Sequence, residues 1–101
     1  MSPADPIDVA VSDPDVRALL PRYLQRRSED VAHLLALLDQ GQYDAIAQLG
    51  HRLRGSGAAY ELPAISAIGA DLDEAGRCAD AASIRDAIAN LTAFIQRVRI
   101  V

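Results

Sequence analysis

Prolines and glycines cut this chain into segments of helix length, and within each segment the apolar residues return every three or four positions. Proline costs little at a first helical position, where its missing N–H has no intrahelical partner, and glycine commonly follows a last turn. Asp13-Pro14 reads as an N-cap and first helical residue, opening a short helix through Leu19 and Leu20. Pro21 interrupts that helix and starts a longer one to about Gln40, with Leu24, Val31, Leu34, Leu35 and Leu38 on one face and Gly41 as its stop. A third segment runs from Gln42 to Ala59. Pro63 opens a fourth, with Ile65, Ile68 and Leu72 at helical spacing before Gly76 stops it. The last follows Asp80 and carries Ile84, Ile88, Leu91, Ile95 and Val98 on its inner face.

Half of the 101 residues are hydrophobic, yet aromatics number only three tyrosines and one phenylalanine, so the core must be built from Ala, Leu, Ile and Val. That length supports one small domain. The expectation is an all-α fold: an antiparallel four-helix bundle with a short extra N-terminal helix, spanning residues 13–101. Residues 1–12 contain two prolines and no helical period, and read as a flexible or extended lead-in. There is no internal repeat, and no strand-like alternation longer than Ile7 to Val11.

Charge and cysteine usage remove several function classes. Ten basic residues, all arginine, against fourteen acidic ones give a net charge of −4, which lacks the electrostatic footprint of general nucleic-acid binding. The single cysteine, Cys78, has no partner for an internal disulfide, and no Cys/His cluster has zinc-site spacing. No apolar run reaches the roughly 20 residues needed to span a bilayer, and the N-terminus lacks a signal peptide's basic and hydrophobic regions. The expected protein is cytoplasmic, binds no membrane and holds no metal.

One histidine is unusually surrounded. His51 lies in the run Leu49-Gly50-His51-Arg52-Leu53-Arg54-Gly55-Ser56-Gly57, and each interior helical glycine costs roughly 0.5 to 1 kcal/mol relative to alanine. With Ile46, Leu49, Leu53 and Gly57 forming the buried stripe, His51 projects toward solvent, flanked by Ala47 and Gly55 one turn away, with Gln48 and Ala58 nearby. Small neighbours keep the imidazole open to another molecule, and Arg54 is close enough to neutralise a phosphoryl group on the ring. The alternative for any single histidine is an ordinary surface residue, and Gly57 also fits close helix packing. His33, beside Glu29 and Asp30 and with no glycine around it, reads as such a surface residue; Glu29 and His33 without a third ligand make no metal site.

The run His51-Arg52-Leu53-Arg54-Gly55-Ser56-Gly57 resembles the signature of the histidine-containing phosphotransfer (HPt) domain family. The likeness extends to the proline-led helix Leu20-Pro21-Arg22-Tyr23-Leu24, to Asp30-Val31 and Leu34, and to the helix after Pro63. It implies that His51 accepts a phosphoryl group from a receiver-domain aspartate and passes it to another receiver, without kinase activity of its own. It also implies that Arg54, at the family's usual lysine, contacts the phosphoryl oxygens. Gly55 would then let the receiver dock, with Gln48, Ala47 and Ala58 around it. The implied partners are response-regulator receivers and a hybrid histidine kinase. Mg²⁺ would reside on the receiver, so this chain needs no cofactor and acts as a monomer. Near Tyr60-Glu61-Leu62 the family commonly has a glycine, where this chain has Glu61. If the backbone there stays left-handed, Glu61 is mildly strained; the favoured expectation is that the loop re-forms and Glu61 serves the helix beginning at Pro63.

Physical chemistry is consistent with that role. A neutral imidazole has a free ring lone pair, and phosphoryl transfer depends chiefly on positioning and charge stabilisation. The chain has no nucleotide-binding G-x-x-x-x-G-K-[ST] sequence. The competing reading is a helical interaction module that binds a receiver or kinase without accepting phosphate.

Overall fold

In the computed structural model, which describes residues 5–101, four helices are joined by three-residue connections and two short strands meet beside them. The order is β1 (Ile7–Val9), α1 (Pro14–Asp39), α2 (Tyr43–Ala59), α3 (Pro63–Arg77), α4 (Ala81–Arg97) and β2 (Val98–Ile100). Asp13 caps α1 by accepting from the Asp15 amide at 2.8 Å, with Pro14 in the first turn, as the sequence predicts. Asp80 caps α4 in the same way through the Ser83 amide at 3.1 Å.

The expected short extra helix does not exist as a separate element. Residues 14–39 form one continuous helix with Pro21 inside it. An interior proline removes a helix hydrogen bond and costs about 3 kcal/mol. Leu20 and Tyr23, on either side of Pro21, are both buried, and burying side chains of this size yields about 1.5–3 kcal/mol each. Packing therefore carries the helix through the proline, whose ring stays exposed. Leu35, placed on the inner face by spacing alone, is 46% exposed, whereas Leu34 is fully buried.

The lead-in is also more ordered than expected. Ile7, Asp8 and Val9 pair in parallel with Val98, Arg99 and Ile100. The β-branched residues of both strands are half-buried toward the core, while Asp8 and Arg99 face outward in an ion pair at 2.8 Å. Val98, read as the end of the last helix face, is instead the first residue of β2. Residues 1–4 of the lead-in lie outside the described residues.

The three connections share one geometry. Gly41, Glu61 and Ala79 have φ of 67°, 60° and 51°. The residue after each donates its amide back across the helix end: Gln42 to Leu37 at 2.9 Å, Leu62 to Gly57 at 2.8 Å and Asp80 to Ala75 at 2.9 Å. This left-handed cap suits glycine, and only the first connection has one. Glu61 thus keeps the left-handed backbone rather than a re-formed loop. Its carboxylate serves the entry to α1, not α3: it accepts from the Ser12 hydroxyl at 2.9 Å and from the Ser12 and Asp13 amides at 3.3 Å. These bonds hold the Glu61 carboxyl below its usual range, the Ser12 hydroxyl contributing most.

Leu20, Leu34, Ile46, Leu53, Leu62, Ile65, Leu72, Ile84 and Leu91 form the fully buried centre, all aliphatic as the composition requires. The tightest helix pair is α2 with α3. As α2 advances from Ala47 through Gly50 to Gly57, its close partners on α3 retreat from Gly76 through Asp73 to Ser66. Gly76, expected to stop α3, lies within it and admits the backbone at Ala47. Among the described residues, no helix is long and apolar enough to cross a membrane.

Candidate functional site

The α2–α3 seam determines which side chains surround His51. Ile46, Leu49, Gly50, Leu53 and Gly57 point inward from α2, leaving His51, Gln48, Arg52, Arg54, Gly55 and Ala58 exposed. A Cβ on Gly50 would stand 2.5 Å from the Asp73 nitrogen and 2.7 Å from the Gly69 carbonyl oxygen. Gly57 likewise lies against the backbone of Ser66. Two of the three glycines around His51 therefore admit α3 rather than an outside molecule. Gly55 alone is open, with nothing within 4 Å of where its Cβ would be.

That close approach brings an acid to the imidazole. His51 Nδ1 lies 3.7 Å from Asp73 Oδ2; the His51 side chain is 75% exposed and that of Asp73 only 16%. The other carboxylate oxygen of Asp73 is 3.2 Å from Arg77 Nε, one turn further along α3. An open groove of about 640 Å³ runs over these groups, bordered also by Asp44, Gln48 and Arg52. At 3.7 Å the carboxylate attracts an Nδ1 proton electrostatically without a formed hydrogen bond. With the proton on Nδ1, the lone pair resides on Nε2.

Arg54 lies one turn beyond His51 on α2 and borders a second groove of about 480 Å³, lined by Ala58, Ser66, Ala67 and Ala70. Its carbonyl accepts from the Ser66 hydroxyl at 2.8 Å, which fixes the helix locally. Among the described residues its guanidinium makes no ion pair. A cation is thus available at each end of the site: Arg54 unengaged, Arg77 engaged by Asp73.

Of the docking residues expected from the sequence, Gly55, Gln48 and Ala58 are exposed, but Ala47 is buried at 8% because Gly76 packs on its backbone. Asp73 and Arg77 escaped the sequence reading. Their signal lay in the seven-residue spacing of Gly50 and Gly57 and, on the facing helix, of Gly69 and Gly76, which marks a close helix pair. His33 is exposed, and no group of three or more candidate metal ligands occurs among the described residues.

On the α1 side, Tyr23 stacks on Tyr60 with ring centroids 4.2 Å apart, and its hydroxyl lies 2.7 Å from Ser56 Oγ. Arg27 covers the Tyr23 ring at 4.5 Å and pairs with Asp30 at 2.7 Å. These contacts brace the end of α2 that follows the histidine.

The sequence model of the Hpt domain matches residues 18–100. This chain belongs to the Hpt domain family. The match covers all four helices apart from the first turn of α1, and with it the whole seam that carries His51. Hpt domains are phosphocarrier modules that perform histidine phosphotransfer in two-component signalling and interact with receiver domains and histidine kinases. Searches of curated proteins and of solved structures found no significant match.

Proposed function

We propose that this Hpt domain is a phosphorelay intermediate that accepts a phosphoryl group on His51 from a receiver-domain aspartate and passes it to another receiver. The observation that carries the reading is the pairing of an imidazole 75% exposed with a carboxylate at 3.7 Å from its Nδ1. An exposed ring is accessible to a partner's loop, and a proton retained at Nδ1 leaves Nε2 nucleophilic. The Nε2 lone pair forms the P–N bond as the aspartyl P–O bond breaks, and that electron pair leaves with the carboxylate. The ring keeps its Nδ1 proton and becomes cationic. In onward transfer the P–N electrons return to the ring, so the leaving group is neutral imidazole.

Arg54 supplies charge-assisted bonds to the phosphoryl oxygens from one turn away. Gly55, Gln48 and Ala58 form the open rim against which the receiver seats. The receiver brings its own Mg²⁺, the domain itself lacks kinase activity, and the chain works as a cytoplasmic monomer. The reversed order of contacts between α2 and α3 supports an antiparallel bundle over residues 13–101, with three-residue connections of the kind that join antiparallel neighbours.

The test is transfer from a receiver labelled on its aspartate. Wild type takes up acid-labile, alkali-stable label, and His51→Gln takes up none while retaining its helical circular dichroism. Binding without labelling of wild type would replace the reading with a non-phosphorylated interaction module; equal labelling of His51→Gln would move the acceptor elsewhere.

A further inference from the structure

The α1–α2 side of the bundle carries an arginine-lined trough. Two grooves meet there and share Arg27 and Ser56: one of about 480 Å³ reaches Leu19 and Tyr60, and one of about 240 Å³ reaches His33 and Arg52. We infer that this trough is a docking surface for an acidic amphipathic helix of a partner protein, separate from the rim on which a receiver seats. The inference does not depend on which residue accepts phosphate.

Charge identifies the occupant. Four arginines, Arg22, Arg26, Arg27 and Arg52, line the trough of a chain whose net charge is −4. Among the described residues the one acid in the lining is Asp30, already paired with Arg27 at 2.7 Å, while Arg22, Arg26 and Arg52 make no ion pair. The complement of such a surface is a row of carboxylates. Leu19, Arg22 and Arg26 follow at intervals of three and four along α1 and so form one stripe. Leu19 is 52% exposed, the most exposed large hydrophobic among the described residues. An apolar seat followed by two cations one turn apart fits a helix that presents a leucine-like anchor and two carboxylates on one face. Tyr60 and Arg27 already cover the Tyr23 ring, so recognition there is by charge and not by stacking. From Leu19 to His33 a rise of about 1.5 Å per residue gives about 21 Å, room for about four helical turns. Ser56 lies about 140° round α2 from His51, so an occupant over it leaves the imidazole open. Arg52 borders the His51 groove as well, so the trough ends beside the histidine without covering it. A helix held there raises the effective concentration of whatever domain it is joined to.

The probe is a synthetic amphipathic peptide of about 15 residues, with glutamates one turn apart and a leucine on the same face, titrated into the ¹⁵N-labelled full chain. Amide shifts should be confined to residues 19–33 and 52–60, and the affinity should fall as salt rises. Arg22→Glu and Arg26→Glu should each weaken binding about tenfold. Arg85→Glu, an exposed arginine on α4 that changes net charge equally, should leave it nearly unaltered, and His51→Gln should bind as wild type does. Equal weakening by Arg85→Glu, equal binding of a lysine-for-glutamate peptide, or shifts centred on residues 69–77 would overturn the docking surface. A wild-type dimer in sedimentation that Arg22→Glu dissolves would put a second copy in the trough and overturn the acidic partner.

Discussion

Gly50 and Asp73 meet backbone to backbone: a Cβ on the glycine would come within 2.5 Å of the aspartate nitrogen, and this approach places a carboxylate beside His51. Neighbouring glycines on one helix therefore have opposite duties. Gly50→Ala forces α2 and α3 apart, at a cost of about 1–3 kcal/mol typical of overpacking. Gly55→Leu fills open space and replaces a poor helix former, gaining about 0.5–1 kcal/mol. Thermal melts should show a lower Tm for Gly50→Ala and an equal or higher one for Gly55→Leu. Receiver binding should be lost in Gly55→Leu despite its stability, and unimpaired binding would remove Gly55 from the docking rim.

Among the described residues Arg54 makes no ion pair, so its loss should be felt chiefly when phosphate is present. Arg54→Ala should slow transfer about three- to tenfold, the scale of a charge-assisted bond at an exposed site, and Arg54→Lys should keep most of the rate. Stopped-flow transfer from a labelled receiver measures both. Identical rates for the alanine and lysine variants would show that the charge is not used.

The connection geometry makes Ala79 a stabilisation target. Its φ of 51° costs an L-residue about 1 kcal/mol that glycine does not incur, and the side chain is exposed. Ala79→Gly should raise Tm by about 4–8 °C for a domain of this size, less the entropy glycine adds to the unfolded chain. Glu61→Gly relieves the same strain yet loses three hydrogen bonds to Ser12 and Asp13, and should lower Tm. Differential scanning calorimetry of the pair should therefore give opposite signs.

The same carboxylate gives stability a pH dependence. Because folding holds the Glu61 carboxyl below its ordinary value of 4.5, its contribution is present above pH 4.5 and is lost as pH falls through the lower, folded value. Glu61→Gln should thus be less stable than wild type at pH 7, with the gap closing in strong acid. Urea titrations at pH 7 and pH 3 read this directly; a gap that widened in acid would contradict it.

Most helix starts and stops, and the exposure of His51, were legible from the chain because each rests on local chemistry: Asp13 before Pro14, Gly41 at a left-handed cap, apolar residues at helical spacing. What escaped depends on distant partners. Pro21 looked like a break because the burial of Leu20 and Tyr23 around it is tertiary. Gly50 looked like clearance for a ligand because nothing local reveals that Asp73 lies across the seam. Ile7–Val9 read only as a flexible or extended lead-in, because its hydrogen-bonding partner lies at the other end of the described chain.

That last pairing has a kinetic consequence. Asp8 and Arg99 are 91 residues apart, whereas the helices and their three-residue connections need only nearby contacts to form. Closing so long a loop before the helices have packed is entropically uphill, so the ribbon should zip last during folding and open first during unfolding. Amide hydrogens of Val9 and Ile100 should exchange ahead of those in the seam, so the edge of the domain can breathe without disturbing the histidine.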